Sequence, residues 1–158
     1  MRTPSDLQLP SPKVGERWIV GAVIHDGRGR IFMQLRSEAR SLFPGAWDLV
    51  GGHLEPGEGI LDCLAREVGE ETSWSVERVV ADLGVMTWIG DDGMERHEID
   101  YLVEVAGDLE RPVIEAELHL DPRWVDRDAA LGLLDGSHPS DALVRQVVER
   151  AFQVLAEG

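Results

Sequence analysis

Glu67, Glu70 and Glu71, within the run Arg66-Glu67-Val68-Gly69-Glu70-Glu71, constrain the fold of this chain more than any other feature. At spacings of three and four they share one face of a helix, because residues so separated are neighbours on its surface. Each like-charge pair opposes that helix by roughly 0.2–0.5 kcal/mol. If the helix ends near Ser73, the charges also face the negative end of its dipole. Such a segment stays helical only with compensation. Leu61, Leu64, Ala65, Val68 and Thr72 supply a core-facing side at helical spacing, and Asp62–Arg66 and Arg66–Glu70 are opposite-charge pairs four apart. The negative face that is left calls for a cation, and a hard divalent metal with oxygen ligands fits that role best.

Around this helix the pattern is one of strands. Residues 18–25 read as a buried strand, 26–29 as a hairpin turn whose glycines supply positive φ, and 30–36 as the returning strand. In that second strand Ile31, Met33 and Leu35 alternate against polar neighbours. Residues 37–45 form a loop, 46–50 a short strand leading into Gly51-Gly52, and 55–58 a turn. Two further strands are expected at 75–80 and 83–89, a turn at 90–93, and a strand at 98–106 with Ile99, Tyr101, Val103 and Val105 on one side. Residues 118–125 are expected to continue the sheet and 126–134 to form a short helix, with a loop at 137–140. A final helix at 141–156 buries Leu143, Val144, Val147, Val148, Ala151 and Leu155. Pro4, Pro10 and Pro12 punctuate an extended arm, so residues 1–17 read as an arm and 18–158 as one domain. Strands mixed with two strong helices predict an α+β chain folded as an α/β/α sandwich.

Charge narrows the function. Fifteen Lys and Arg stand against 30 Asp and Glu, a formal charge of −15. Such a surface disfavours nucleic acid, which is held through basic contacts. It also repels a phosphorylated metabolite unless a metal inverts the local field. No apolar run approaches the ~20 residues needed to span a bilayer, and the opening residues lack the apolar stretch of a secretory signal. The lone Cys63 permits no internal disulfide and suits a reducing, cytoplasmic setting.

Read forward from Gly52, five residues lead to Glu58 and seven more to Arg66-Glu67-Val68-Gly69-Glu70-Glu71-Thr72-Ser73-Trp74. This resembles the Nudix box, G-x5-E-x7-R-E-U-x-E-E-x-G-U with U bulky and apolar. Every charged position matches in register; Ser73 replaces the last glycine and Trp74 fills the last apolar position. The approach Phe43-Pro44-Gly45-Ala46-Trp47-Asp48-Leu49-Val50-Gly51-Gly52 and the late Trp124-Val125 are also similar to MutT-type Nudix proteins, with Val50 where proline is common. The likeness covers about residues 18–155.

The resemblance implies a mixed-sheet sandwich and a metal-dependent pyrophosphohydrolase. Its substrate would be a nucleoside diphosphate linked to another moiety, most simply a nucleoside triphosphate, oxidised ones included. By the same resemblance Mg²⁺ or Mn²⁺ is held by Glu67, Glu70, Glu71 and the Gly51 carbonyl. Glu70, Glu67, Arg66 and a later glutamate would carry the reaction, with Glu58 paired to Arg66. Glu115 and Glu117 precede Trp124, and Glu117 is preferred as that later acid. His53, Arg36 and Glu58 are candidates for the substrate, as is Arg40, although exposed loop arginines are the plainer reading. His97 and His119 read as ordinary strand or surface histidines, Cys63 as a small buried residue, and Trp88, Tyr101 and Trp124 as core before base platform. A small-molecule nucleotide is the expected partner, and the family leaves room for a homodimer to which the arm contributes.

Three rivals stand beside this reading. A nucleotide-sensing Nudix domain without activity usually loses box glutamates, and none is lost here. Hydrolases of ADP-ribose or of dinucleoside polyphosphates carry a proline or tyrosine about 16 residues after the box, where this chain has Ile89-Gly90-Asp91; nucleotide sugars remain a further substrate class. A Nudix-fold isoprenoid isomerase needs a cysteine near the start of the metal loop, and Cys63 is on the helix.

Overall fold

The computed structural model of the chain describes residues 1–158. Its elements are β1 (Trp18–Ile24), β2 (Ile31–Arg36), β3 (Trp47–Asp48), β4 (Val50–His53), α1 (Ile60–Thr72), β5 (Ser75–Ile89), β6 (Glu95–Ala106), β7 (His119–Val125), α2 (Arg127–Leu133) and α3 (Asp141–Glu157). The expected α/β/α sandwich is what forms. A four-stranded sheet runs β4-β1-β6-β5, and a three-stranded one runs β3-β2-β7. Only β1 and β6 pair in parallel, so the larger sheet is mixed.

Alternation along β1 and β6 sends side chains to opposite faces. On one face Val20, Ala22, Ile99, Tyr101 and Val103 pack with Ile60, Cys63, Leu64 and Val68 of α1. On the other, Val23 and Leu102 join Val147, Val148 and Ala151 of α3. Because both faces are covered, Ile31, Phe32, Met33 and Gln34 are all buried, and the polar alternation expected of β2 does not reach solvent. Phe32 packs edge-on to Trp74 and Trp124, with ring centroids 5.1 and 5.6 Å away. Tyr101 and Trp124 are thus structural, as expected; Tyr101 also donates its hydroxyl to the Gln8 carbonyl at 2.7 Å.

Several boundaries differ from the sequence expectation. The two strands expected at 75–80 and 83–89 are one strand, β5, bent by three register shifts against β6, with Gly84 at φ +89° in the last of them. Residues 119–125 do not extend the main sheet but pair with β2 in the second. Gly51 and Gly52 lie inside β4, opposite Gly21 and Val20 of β1, rather than in a loop after a strand. The arm is tied down: Arg2 bridges to Arg78 at the edge of β5.

Candidate active site

Helix α1 ends where the sequence predicts. Ser73 adopts φ 63°, ψ 9°, and its N–H donates to the Gly69 carbonyl, the left-handed stop that glycine usually provides. Serine bears a steric cost of roughly 1–2 kcal/mol there, but the helix terminates as it would with glycine.

The three helix acids do not share one environment. Side-chain exposure is 52% for Glu70, 13% for Glu67 and 2% for Glu71. Arg66 organises the outer part: its Nε and Nη2 donate to both Glu58 oxygens at 2.7 and 2.9 Å, and Nη1 donates to Glu67 at 2.8 Å and Glu70 at 3.3 Å. Those bonds hold the Glu58 carboxyl down at about 2. Glu71 is gripped from the sheet instead. Gln34 Nε2 and the Gly51 N–H each donate to it at 3.0 Å, and His119 Nε2 stands 3.5 Å from its Oε1. Burial raises the carboxyls of Glu67 and Glu71, and for Glu71 the charge of Glu67 adds to that. Gly52 is the other half of this geometry, since a methyl group there would overlap the Glu67 carboxylate.

Two supporting residues were not singled out as functional from sequence. Gln34 read as a solvent-facing position of a strand, and His119 as an ordinary histidine without partners. Both are buried against Glu71. Burial leaves His119 neutral, its pKa lowered to about 4. Neither carries a local signal, because each meets Glu71 only when β2, with β7 paired beside it, packs near α1.

On the far side of the Gly51–Gly52 segment lies a cavity of about 730 Å³, its open mouth included. Arg36, Arg40, Asp48, His53, Trp88, Glu98 and Asp100 are among its walls. Arg36 is buried, not solvated, donating to Asp48 at 2.9 Å and to the Leu42 carbonyl at 2.7 Å. Arg40 makes no such ion pair; burial and the neighbouring Arg36 lower its pKa. His53 accepts a hydrogen bond from Arg96 Nε at 3.0 Å, and burial together with that cation keeps it neutral. Trp88 is a half-buried cavity wall, unlike the core residue expected. Of the late acids, Glu115 is half-buried and close enough to act on Arg40, while Glu117 is exposed. Cys63 is buried and its thiol is pushed up to about 12, chiefly by burial, so it is not a nucleophile.

The residues gathered here suit a hard divalent cation. Their donors are carboxylate and carbonyl oxygens, burial raises the carboxyls of Glu67 and Glu71 although Arg66 lies against the first, and Gly52 makes room for the Glu67 carboxylate itself. No three His, Cys, Asp or Glu side chains already converge as a finished cage.

Comparison with known proteins agrees with this fold. The profile of the NUDIX domain family matches residues 15–149. A nucleoside triphosphatase, NudI of Enterobacter sp. (strain 638), is 32% identical over 127 residues, 76% of this chain and 88% of that protein. The 8-oxo-dGDP phosphatase NUDT18 of Danio rerio is 31% identical over 117 residues, but the match spans only 34% of its length. Among solved structures, a MutT protein from Methanosarcina mazei Go1 superposes with a TM-score of 0.67 at 23% identity, over 92% of this chain and all of that one.

Proposed function

This chain belongs to the Nudix family of hydrolases, and on that premise we propose that it is a divalent-metal-dependent pyrophosphohydrolase of nucleoside triphosphates. The observation that carries the proposal is the Arg66–Glu58–Glu67–Glu70 network beside the buried Glu71, next to an open cavity lined by Arg36, Arg40 and Trp88. The likeness to a nucleoside triphosphatase over most of both chains supports the choice of substrate class.

Glu67, Glu70, Glu71 and the Gly51 carbonyl would hold Mg²⁺ or Mn²⁺. Such a cation supplies charge neutralisation at the phosphates and a more acidic bound water. The protein's own residues do the rest. Arg66 fixes the carboxylates of Glu58, Glu67 and Glu70 in one orientation, so little reorganisation remains when a substrate arrives. Gln34 and the Gly51 N–H fix Glu71 from the opposite side. Glu70, the exposed member, is free to accept a proton from the attacking water. For the later acid, half-buried Glu115 is better placed than Glu117. Arg36 and Arg40 bring positive charge to the cavity wall and would meet the phosphates, with neutral His53 at its rim. Hydrolysis would release a nucleoside monophosphate and pyrophosphate.

A nucleotide panel assayed with Mg²⁺, with Mn²⁺ and with chelator tests this, wild type beside Glu70→Gln. Metal-dependent release of pyrophosphate, reduced roughly 100-fold or more in the variant, is the expected result. Equal rates in both proteins would remove Glu70 from the reaction. Nucleotide binding without turnover in the wild type would favour a sensor.

A further inference from the structure

Glu98 and Asp100 are alternate residues of β6, so they share the face of the sheet away from α1, and both line the cavity. Asp100 is 3% exposed and its Oδ2 has no hydrogen-bond partner. Glu98 Oε1 accepts from Trp88 Nε1 at 3.1 Å. No cationic side chain supports either carboxyl. A buried acceptor left without a donor is costly, and natural proteins seldom keep one without a use. The sheet is built around it nonetheless: at Gly21, on the adjacent strand, any side chain would overlap the Asp100 carboxylate.

The surroundings suit one kind of ligand. Phe43 and Trp88, with ring centroids 5.6 Å apart, give the cavity an aromatic wall on which a base can stack. Gly51 and Gly52 border the same cavity, and they carry Glu71 and Glu67 on their other side. A base in this cavity would meet the carboxyl pair, with the helix acids across the Gly51–Gly52 segment left to the phosphates.

We propose that Glu98 and Asp100 read the base of the substrate, and that they select a base edge bearing two adjacent N–H donors, as in guanine. This rests on the reading of the site as a nucleotide hydrolase. Once a bound pair of donors draws both carboxyls into the charged form, they only accept hydrogen bonds. Guanine offers N1–H beside its 2-amino group, a matched pair of donors. Adenine and cytosine set a ring acceptor beside their amino group, and uracil flanks its one N–H with carbonyls, so each brings an acceptor against an acceptor. Burial holds both carboxyls above the usual carboxylate range, Asp100 the more because Glu98 faces it. Donors from a bound base would favour the charged form and relieve that penalty.

Steady-state kinetics of wild type, Glu98→Gln and Asp100→Asn on GTP, ATP, CTP and UTP test the assignment, with calorimetric titration of GMP and AMP alongside. The expected result is a wild-type preference for GTP. In each variant the GTP-to-ATP ratio of kcat/KM should fall roughly tenfold or more, mainly through KM, since unmatched buried polar groups are strong discriminators. A packing role alone would lower all four substrates together. Unchanged ratios in both variants, with hydrolysis intact, would overturn the base-reading role and leave the hydrolase reading standing. If the wild type hydrolyses none of the four, the hydrolase reading fails. The titrations then decide this one, and equal affinity for GMP and AMP would overturn it. Should Asp100→Asn not fold, half-buried Glu98→Gln carries the same comparison.

Discussion

Two acidic clusters flank the Gly51–Gly52 segment, and they are built in opposite ways. On the α1 side, Glu58, Glu67 and Glu70 surround one guanidinium, and the outermost is half exposed. On the α3 side, half-buried Glu98 and buried Asp100 face each other, with the Trp88 indole N–H as the one donor from another side chain. The first is a set of three carboxylates around a single cation, so it stays net negative. The second is a set of acceptors awaiting donors. Each is pressed against a glycine, Glu67 against Gly52 and Asp100 against Gly21, so neither backbone strand tolerates a side chain without cost to its cluster.

The largest expected effect breaks the first cluster. Gly52→Ala forces the Glu67 carboxylate aside, and because that carboxylate ends a flexible side chain the fold should survive. Hydrolysis should fall roughly 100-fold, the scale of an ångström's misplacement at a reacting centre; a rate within twofold of wild type would dissociate Gly52 from the site. Gln34→Met removes one of two N–H donors to Glu71 and, with Glu71 holding the metal as proposed, should lower activity roughly tenfold or more. Its readout is the metal concentration for half-maximal rate, which should rise.

Gly21→Ala attacks the second cluster and should register as stability. Asp100 is too confined to turn away, so a loss of about 1–3 kcal/mol is expected in denaturant unfolding. The smallest effect concerns pH. Glu58 has its carboxyl lowered from 4.5 to about 2, primarily by its hydrogen bonds from Arg66, so its contribution is complete above pH 4.5 and is lost as pH falls towards 2. The melting-temperature difference between wild type and Glu58→Gln should accordingly be widest above pH 4.5 and shrink below it. A difference constant across that window would mean the pair adds nothing to folding.

Helix α1 was legible because its signals are local. Leu64 and Val68 recur at helical spacing, Arg66 lies four residues from both Asp62 and Glu70, and Ser73 directly follows the buried Thr72. The register of Glu58, Arg66, Glu67, Glu70 and Glu71 carried the family with it. What stayed hidden depends on pairing between distant strands. Gln34 and His119 are far apart in the chain and from Glu71, and nothing near either of them points to a carboxylate. The break expected near residues 81–82 was a bulge, because a strand that twists and shifts register reads locally like two.

The amino-acid order alone therefore determined the acidic helix, its stop and the residues that offer oxygen ligands, since each depends on neighbours within a few positions. The tertiary structure decided which of those acids is buried, which glycine makes room for which carboxylate, and that Glu98 and Asp100 face a cavity rather than solvent. Those outcomes follow from parallel pairing of β1 with β6 and from α3 covering the far face, contacts between segments that no local pattern encodes.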